Sequence, residues 1–289
     1  MAAALAPPAA AEAPRFSFAV LTDIQYADKD TAGRRDYRAS LGKLREAVAA
    51  VNAARPAFAL QLGDLVDEGE RNFAPILKVW NTLAVPRHHV LGNHDFCAPR
   101  DVVLRHLGMP SAWYDFSQSG WRFVVLDGMD LSITGRDAGS RQHTLAVDML
   151  ASLRQKGLPN AMEWNGGISD EQQRWLRETL RSAEEKHERV IVLCHFPVWK
   201  DASTPQHLLW NANAILELLD GAPAVAAWLN GHDHNGGYAL RPNGVHFVTF
   251  PGMVESGARN SWTMVEVYEN RLELRGFGTA PSRTLRLRK

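Results

Sequence analysis

Five apolar, strand-like runs, each ending in a short polar cluster, constrain this 289-residue chain more than any other feature. The runs are 16–22 (FSFAVLT), 58–62 (FALQL), 88–91 (HHVL), 190–194 (VIVLC) and 225–230 (VAAWLN). Continuous apolar stretches of this length read as parallel strands buried on both faces. The clusters are Asp23-Ile24-Gln25, Gly63-Asp64-Leu65-Val66-Asp67, Gly92-Asn93-His94-Asp95, Cys194-His195 and Gly231-His232-Asp233-His234. Ligands of an open α/β sheet bind at the carboxyl ends of its strands. Five sets of Asp, Asn, Gln and His therefore converge on one edge, and a metal is the natural thing for them to hold.

Taken as D-x-Q, GDxxD, GNHD, an isolated His after a strand, and GHxH, the clusters stand in the order of the calcineurin-like metallophosphoesterases, which the chain resembles from Phe16 to its last strands. Gln25, where the wider family has His, narrows the resemblance. With it go Asp36-Tyr37-Arg38-Ala39-Ser40, Trp164-Asn165-Gly166-Gly167-Ile168-Ser169, Trp210-Asn211 and Gly236-Gly237-Tyr238. Together these are similar to the Mn2+-dependent ADP-ribose/CDP-alcohol diphosphatase subfamily, although GNHD stands where eukaryotic relatives tend to have GNHE.

The resemblance implies a four-layer α/β/β/α sandwich and two divalent ions. By motif position Asp23, Gln25, Asp64 and His234 would hold one ion, and Asp64, Asn93, His195 and His232 the other. It further implies that Asp67 pairs with His94, and that the substrate is a small nucleoside-diphosphate-linked compound, ADP-ribose or a CDP-alcohol. A phosphomonoesterase or cyclic-nucleotide phosphodiesterase on the same metals is the alternative. A non-catalytic scaffold is disfavoured because every ligand position carries a competent residue.

The chemistry of the residues agrees with that reading. A mixed nitrogen and oxygen set suits Mn2+, Fe2+ or Zn2+, with Mg2+ a further option, rather than a thiolate-preferring metal. Two dications against two ligand carboxylates leave a positive site that attracts a diphosphate, lowers the pKa of bound water and clamps attacking and leaving oxygens. Gln25 is a weaker ligand than imidazole, so the first ion is expected to be the looser. His94 is the candidate catalytic group that is not a ligand, able to donate a hydrogen bond or a proton to the phosphate. Asp67 would orient its ring. Asp95 and Asp233 either orient ligands or satisfy their own turns.

Lys plus Arg equals Asp plus Glu at 32 each, so the formal net charge is zero, and no long basic run appears. That argues against a bulk nucleic-acid or membrane-surface role. No apolar stretch approaches the length of a membrane span. The motifs are spread so widely that neither half could hold a site alone, which predicts one domain over 15–289, expected to be monomeric. Residues 1–14, almost all Ala and Pro, read as a disordered leader or a signal remnant. The two cysteines, Cys97 and Cys194, lie beside metal motifs and read as reduced thiols of a cytoplasmic protein.

Between the clusters, Leu41 to Ala54 has the spacing of an amphipathic helix. Ser169-Asp170-Glu171-Gln172 is a capping box for a helix carrying Trp175, Leu176 and Leu180 inward. Short β-type runs at 236–240, 245–249, 262–268 and 271–276 predict hairpins forming a second sheet. The stretch 128–167 reads as a long irregular insertion over the active site. For substrate contacts, Arg34, Arg35 and Arg38 could grip the second phosphate. Phe196, Trp199 or Trp210 could stack on a base, and Asn211 and Tyr238 are candidates by resemblance only. His106, His143, His187 and His207 read as solvated, and adjacent His88 and His89 should face opposite sides of their strand.

Overall fold

The computed structural model describes residues 12–288. Most of the expected leader thus lies outside the described residues. In chain order the elements are β1 (Phe16–Leu21), α1 (Ala39–Ala54), β2 (Phe58–Leu62), α2 (Phe73–Trp80), β3 (Arg87–Val90), α3 (Arg100–Leu107), β4 (Tyr114–Gln118) and β5 (Trp121–Val125). There follow α4 (Arg141–Gln155), α5 (Asp170–Glu185), β6 (Arg189–Leu193), α6 (Ala212–Asp220) and β7 (Val225–Asn230). The chain then runs through β8 (Gly237–Leu240), β9 (His246–Thr249), β10 (Ser261–Val267), β11 (Arg271–Gly278) and β12 (Arg283–Arg286).

The strands form two six-stranded sheets, ordered β12-β11-β10-β1-β2-β3 and β4-β5-β6-β7-β9-β8. Period-two alternation explains how they stack. On β1, Phe16, Phe18 and Val20 face the other sheet, where, together with Phe58 of neighbouring β2, they meet Phe123, Ile191 and Leu229; Ala19 and Leu21 face the helices. Phe18 stacks on Phe58 at 5.1 Å and meets Phe123 edge-on at 5.3 Å. Burying each such ring contributes about 1.5 to 3 kcal/mol. Outside the first sheet, α1 presents Leu44, Ala47, Val48 and Val51, spaced three and four apart, beside α2 and Val103 of α3. Outside the second sheet, α5 and α6 bury Leu176, Leu180, Ile215 and Leu216. The result is the expected α/β/β/α sandwich.

Two details differ from the sequence reading. The five motif strands divide three to two between the sheets, and the late hairpins complete both: β10 to β12 extend the first, β8 and β9 the second. The site therefore forms where the strand ends of two sheets face each other. The stretch 128–167 is also not irregular, since it contains the four-turn helix α4, capped by Ser140 accepting from the His143 N–H. Ala146, Leu150 and Leu153 of α4 pack on Leu131 and Trp210. At α5, Ser169 caps as expected, but Gln172 does not reach back to it. Asp130 accepts from the Ser169 N–H, and Gln172 bonds the Asp127 backbone instead.

Candidate metal centre

The loops after β1, β2, β3, β6 and β7 meet over the seam between the sheets, and glycines let them approach. A Cβ at Gly63, where φ is 96°, would run into the His195 ring, and one at Gly92 would strike the Asp64 carboxylate. Four clustered side chains sit on left-handed backbone: Asp23 (φ 48°), Gln25 (44°), Asp64 (56°) and His232 (70°). Each such non-glycine residue costs about 1 to 3 kcal/mol and persists only where its surroundings over-determine it. Here they do. Buried Asp95 accepts from the N–H groups of Gly92, Asp64 and Leu65 at 2.8–3.0 Å, while the N–H groups of Asp23 and Gln25 bond Gly63 and Asp64 carbonyls.

Three histidines have their tautomers fixed from behind. His195 Nδ1 lies 2.8 Å from the Leu62 carbonyl, His232 Nε2 2.9 Å from Asn165 Oδ1, and His234 Nδ1 2.9 Å from Glu255 Oε1. Asn165 cannot be flipped, because its Nδ2 donates to the carbonyls of Asn160 and Gln206. Each acceptor calls for an N–H, leaving the opposite ring nitrogen as a lone pair. Those lone pairs converge. His195 Nε2 is 3.2 Å from both His232 Nδ1 and Asp64 Oδ2, and His234 Nε2 is 3.2 Å from Asp23 Oδ1. Gln25 Oε1 and Asn93 Oδ1, also buried, have no hydrogen-bond partner among the described residues. Gln25 Nε2, 3.1 Å from Asp64 Oδ2 and 3.2 Å from His234 Nε2, serves part of this cluster, and the remaining acceptors that face acceptors call for a proton or a metal cation between them.

The electrostatics point the same way. Burial opposes charging His195, but the Asp64 carboxylate outweighs it and pushes the group up to about 9; Asp23 does the same to His234, up to about 10. A bound dication would take over the work of those protons. Burial, and after it the neighbouring His195, push His232 well below its ordinary value, with Asp64 opposing only in part. Asp64, His195 and His232 place ligand atoms within 4.8 Å of one another.

A cleft of about 420 Å³ opens over this cluster, lined by Gln25, Asp64, Asn93, His94, His232 and His234, with Arg35, Trp164 and His207. An adjoining groove of about 340 Å³ shares Asn93, His94 and Trp164 and runs on past Phe96, Thr134 and Glu163. His94 stands between the two. Its Nδ1 pairs with Asp67, its backbone N–H donates to Asp64 Oδ1 at 2.8 Å, and Nε2 is left for a ligand. Asp67 also binds Lys29, whose ammonium lies 4.0 Å from the Tyr37 ring centroid.

Of the residues expected to touch substrate outside the metal set and His94, only Arg35 reaches the cleft. Arg34 is 72% exposed beside Glu255, and Arg38 is tied outward to Asp28 and Asp30. Phe196 is fully buried behind His195 and His232, 4.5 Å from the His232 ring. Trp210 is a core residue whose Nε1 donates to the Met162 carbonyl, and Asn211 clamps the backbone of Ile168 at both ends of its amide. Tyr238 lies on edge strand β8 under Arg283, bonded to His246, and Trp199 packs under Arg241. Conversely His207, read as solvated, lines the cleft 5.0 Å from the Trp164 ring. Asp233 holds the Ser203–Thr204 segment that leads to it. Lys29 and Glu255 lie outside every motif, and Asn165, although inside the Trp164–Ser169 motif, carries no spacing that marks it as the partner of His232.

A phosphoesterase of the two-sheet, dinuclear type is what this geometry describes. Residues 16–236 match the calcineurin-like phosphoesterase family, and the chain belongs to it. It is 33% identical to a manganese-dependent ADP-ribose/CDP-alcohol diphosphatase of Xenopus tropicalis, over 95% of each chain. It is 32% identical to the protein of that name from Arabidopsis thaliana, over 92% of this chain and 96% of the other. A crystal structure of a dimetal phosphatase from Danio rerio, 30% identical, superposes with a TM-score of 0.88 over 95% of this chain and all of the other.

Proposed function

We propose that this chain is a Mn2+-dependent hydrolase that cuts the diphosphate bond of nucleoside-diphosphate-linked compounds, ADP-ribose or CDP-alcohols. The observation that carries the reading is the convergence of three imidazole lone pairs, two carboxylates and two unpartnered amide oxygens at and beneath the floor of one cleft. Asp23, Gln25, Asp64 and His234 would hold one ion, and Asp64, Asn93, His195 and His232 the other, with Asp64 shared. Bound there, the ions supply charge for the phosphoryl oxygens and a nucleophile usable near neutral pH. The relatives' names support manganese, and the hard, mixed donor set fits it.

The protein's own groups do the rest. Asp67 fixes the His94 ring through Nδ1, so Nε2 meets the phosphate or the leaving oxygen with its hydrogen bond already aimed. Arg35 is placed for a second phosphate. Trp164, between cleft and groove, offers a flat apolar face to a nucleoside on one side or a leaving group on the other. The unit is read as one domain over 15–289. A reducing compartment, the cytoplasm, suits the two free thiols; burial first, then nearby carboxylates, pushes Cys97 up to about 11 and Cys194 to about 12.

The test is a substrate panel of ADP-ribose, CDP-choline, a cyclic nucleotide and an aryl phosphate, each with Mn2+ and with Mg2+. Preferred turnover of the two diphosphates with Mn2+ is the expected result. Preference for the cyclic nucleotide or the monoester would replace the substrate assignment while leaving the centre intact.

A further inference from the structure

Glu255 stands in the loop between β9 and β10, outside every motif, yet two functional groups converge on a single one of its oxygens. Oε1 accepts from His234 Nδ1 at 2.9 Å and from Arg35 Nε at 3.1 Å. These are not loose surface pairs: the side chains of Glu255, His234 and Arg35 are 18%, 8% and 34% exposed. The loop is held on both sides. The N–H groups of Met253 and Val254 donate to the carbonyls of Thr22 and Asp23, and that of Gly252 to His234. Buried Lys43 of α1 donates to the Met253 carbonyl and to Ser256 Oγ, each at 3.0 Å, bracketing Glu255. A Cβ on Gly252 would come within 2.8 Å of the His234 ring, so the loop lies directly against it.

We propose that Glu255 is a positioning residue shared between the metal centre and the substrate phosphate. Toward His234 it accepts the Nδ1–H, which fixes the tautomer that leaves Nε2 as a lone pair and makes that nitrogen a better ligand. Toward Arg35 it occupies Nε, which leaves the two Nη groups as the donors available in the cleft. One carboxylate thereby sets both the ligand on one ion and the cation beside it. The inference rests on the reading of His234 as a ligand and Arg35 as a phosphate contact.

The experiment titrates the chain with Mn2+ alone, following free Mn2+ by electron paramagnetic resonance, and measures KM for ADP-ribose separately at saturating Mn2+. Glu255→Ala is expected to weaken one of two Mn2+ sites by about 10- to 100-fold. It is also expected to raise KM about tenfold, as loss of a charge-assisted hydrogen bond would. Arg35→Ala should raise KM without weakening Mn2+ binding, and in that background Glu255→Ala should add little further to KM. Glu255→Gln, which keeps the shape but not the charge, should move both quantities in the same direction by less, and circular dichroism verifies the fold of each variant. A folded Glu255→Ala chain with wild-type Mn2+ affinity, or with weakened Mn2+ binding and unchanged KM, overturns the sharing. So does a KM effect that adds in full to that of Arg35→Ala. A wild-type chain that binds no Mn2+ overturns the reading of the centre along with it.

Discussion

The two sides of the centre are built to different standards. On one, His195 and His232 are buried, backed by a strand carbonyl and by an amide locked through two further hydrogen bonds. On the other, Gln25 offers a neutral amide and His234 leans on a carboxylate that Arg35 also claims. Asp64 stands between, touching His195 Nε2 at 3.2 Å and Gln25 Nε2 at 3.1 Å. Beyond the shared Asp64, the first side has two imidazoles and the Asn93 amide, and the second has Asp23, one imidazole and the Gln25 amide; the side with the second imidazole on a fixed frame should hold its ion more firmly. The chain is therefore expected to combine a resident-type site with one that fills as Mn2+ rises.

Asp64→Ala would erase the difference by emptying both sides. Its expected loss of turnover exceeds the roughly 10,000-fold ceiling of a single acid–base group, with metal lost in parallel by elemental analysis. His94→Ala should spare both sides and still cost about 100- to 10,000-fold in turnover; unchanged turnover with two ions present would remove His94 from the mechanism. Asn165→Ala strips the backing from the firmer side alone and should weaken its ion by about 10- to 100-fold. If a Mn2+ titration shows the looser ion weakened instead, the two sides have been assigned the wrong way round. The smallest effect is expected from Gln25→His, which should tighten the looser side severalfold and lessen the Mn2+ needed for activity. Coincident Mn2+ curves for both forms would make Gln25 a passive substitution.

What could be read from the sequence was what strand ends announce. Apolar runs buried on both faces stop abruptly, and the residues at the stop point into shared space, so Asp64, Asn93, His195 and His232 could be grouped without coordinates. The division of the strands between two sheets was not legible, because a buried parallel strand reads the same in either. The β4–β5 hairpin did carry a signal in Ser119-Gly120, both with positive φ, and α4 carried one in Ser140 followed by Ala146, Leu150 and Leu153. Phe196 lies in the core because a ligand's neighbour in sequence can point inward as readily as into a cleft, and Trp210 because packing in the core is the default for a large aromatic side chain. Glu255 and Lys29 act through contacts made only after folding, by loops with no pattern of their own, and Asn165 stands in a quoted motif whose contact with His232 only the fold reveals.

The residues of the centre are expected to hold two ions with Asp64 shared between them. An anomalous-scattering map from Mn2+-soaked crystals tests it most directly. Two peaks about 3.5 Å apart are expected, one beside Asn93, His195 and His232 and one beside Asp23, Gln25 and His234, with Asp64 reaching both. A single peak at saturating Mn2+, with Asp23 and Gln25 turned away from it, would contradict it.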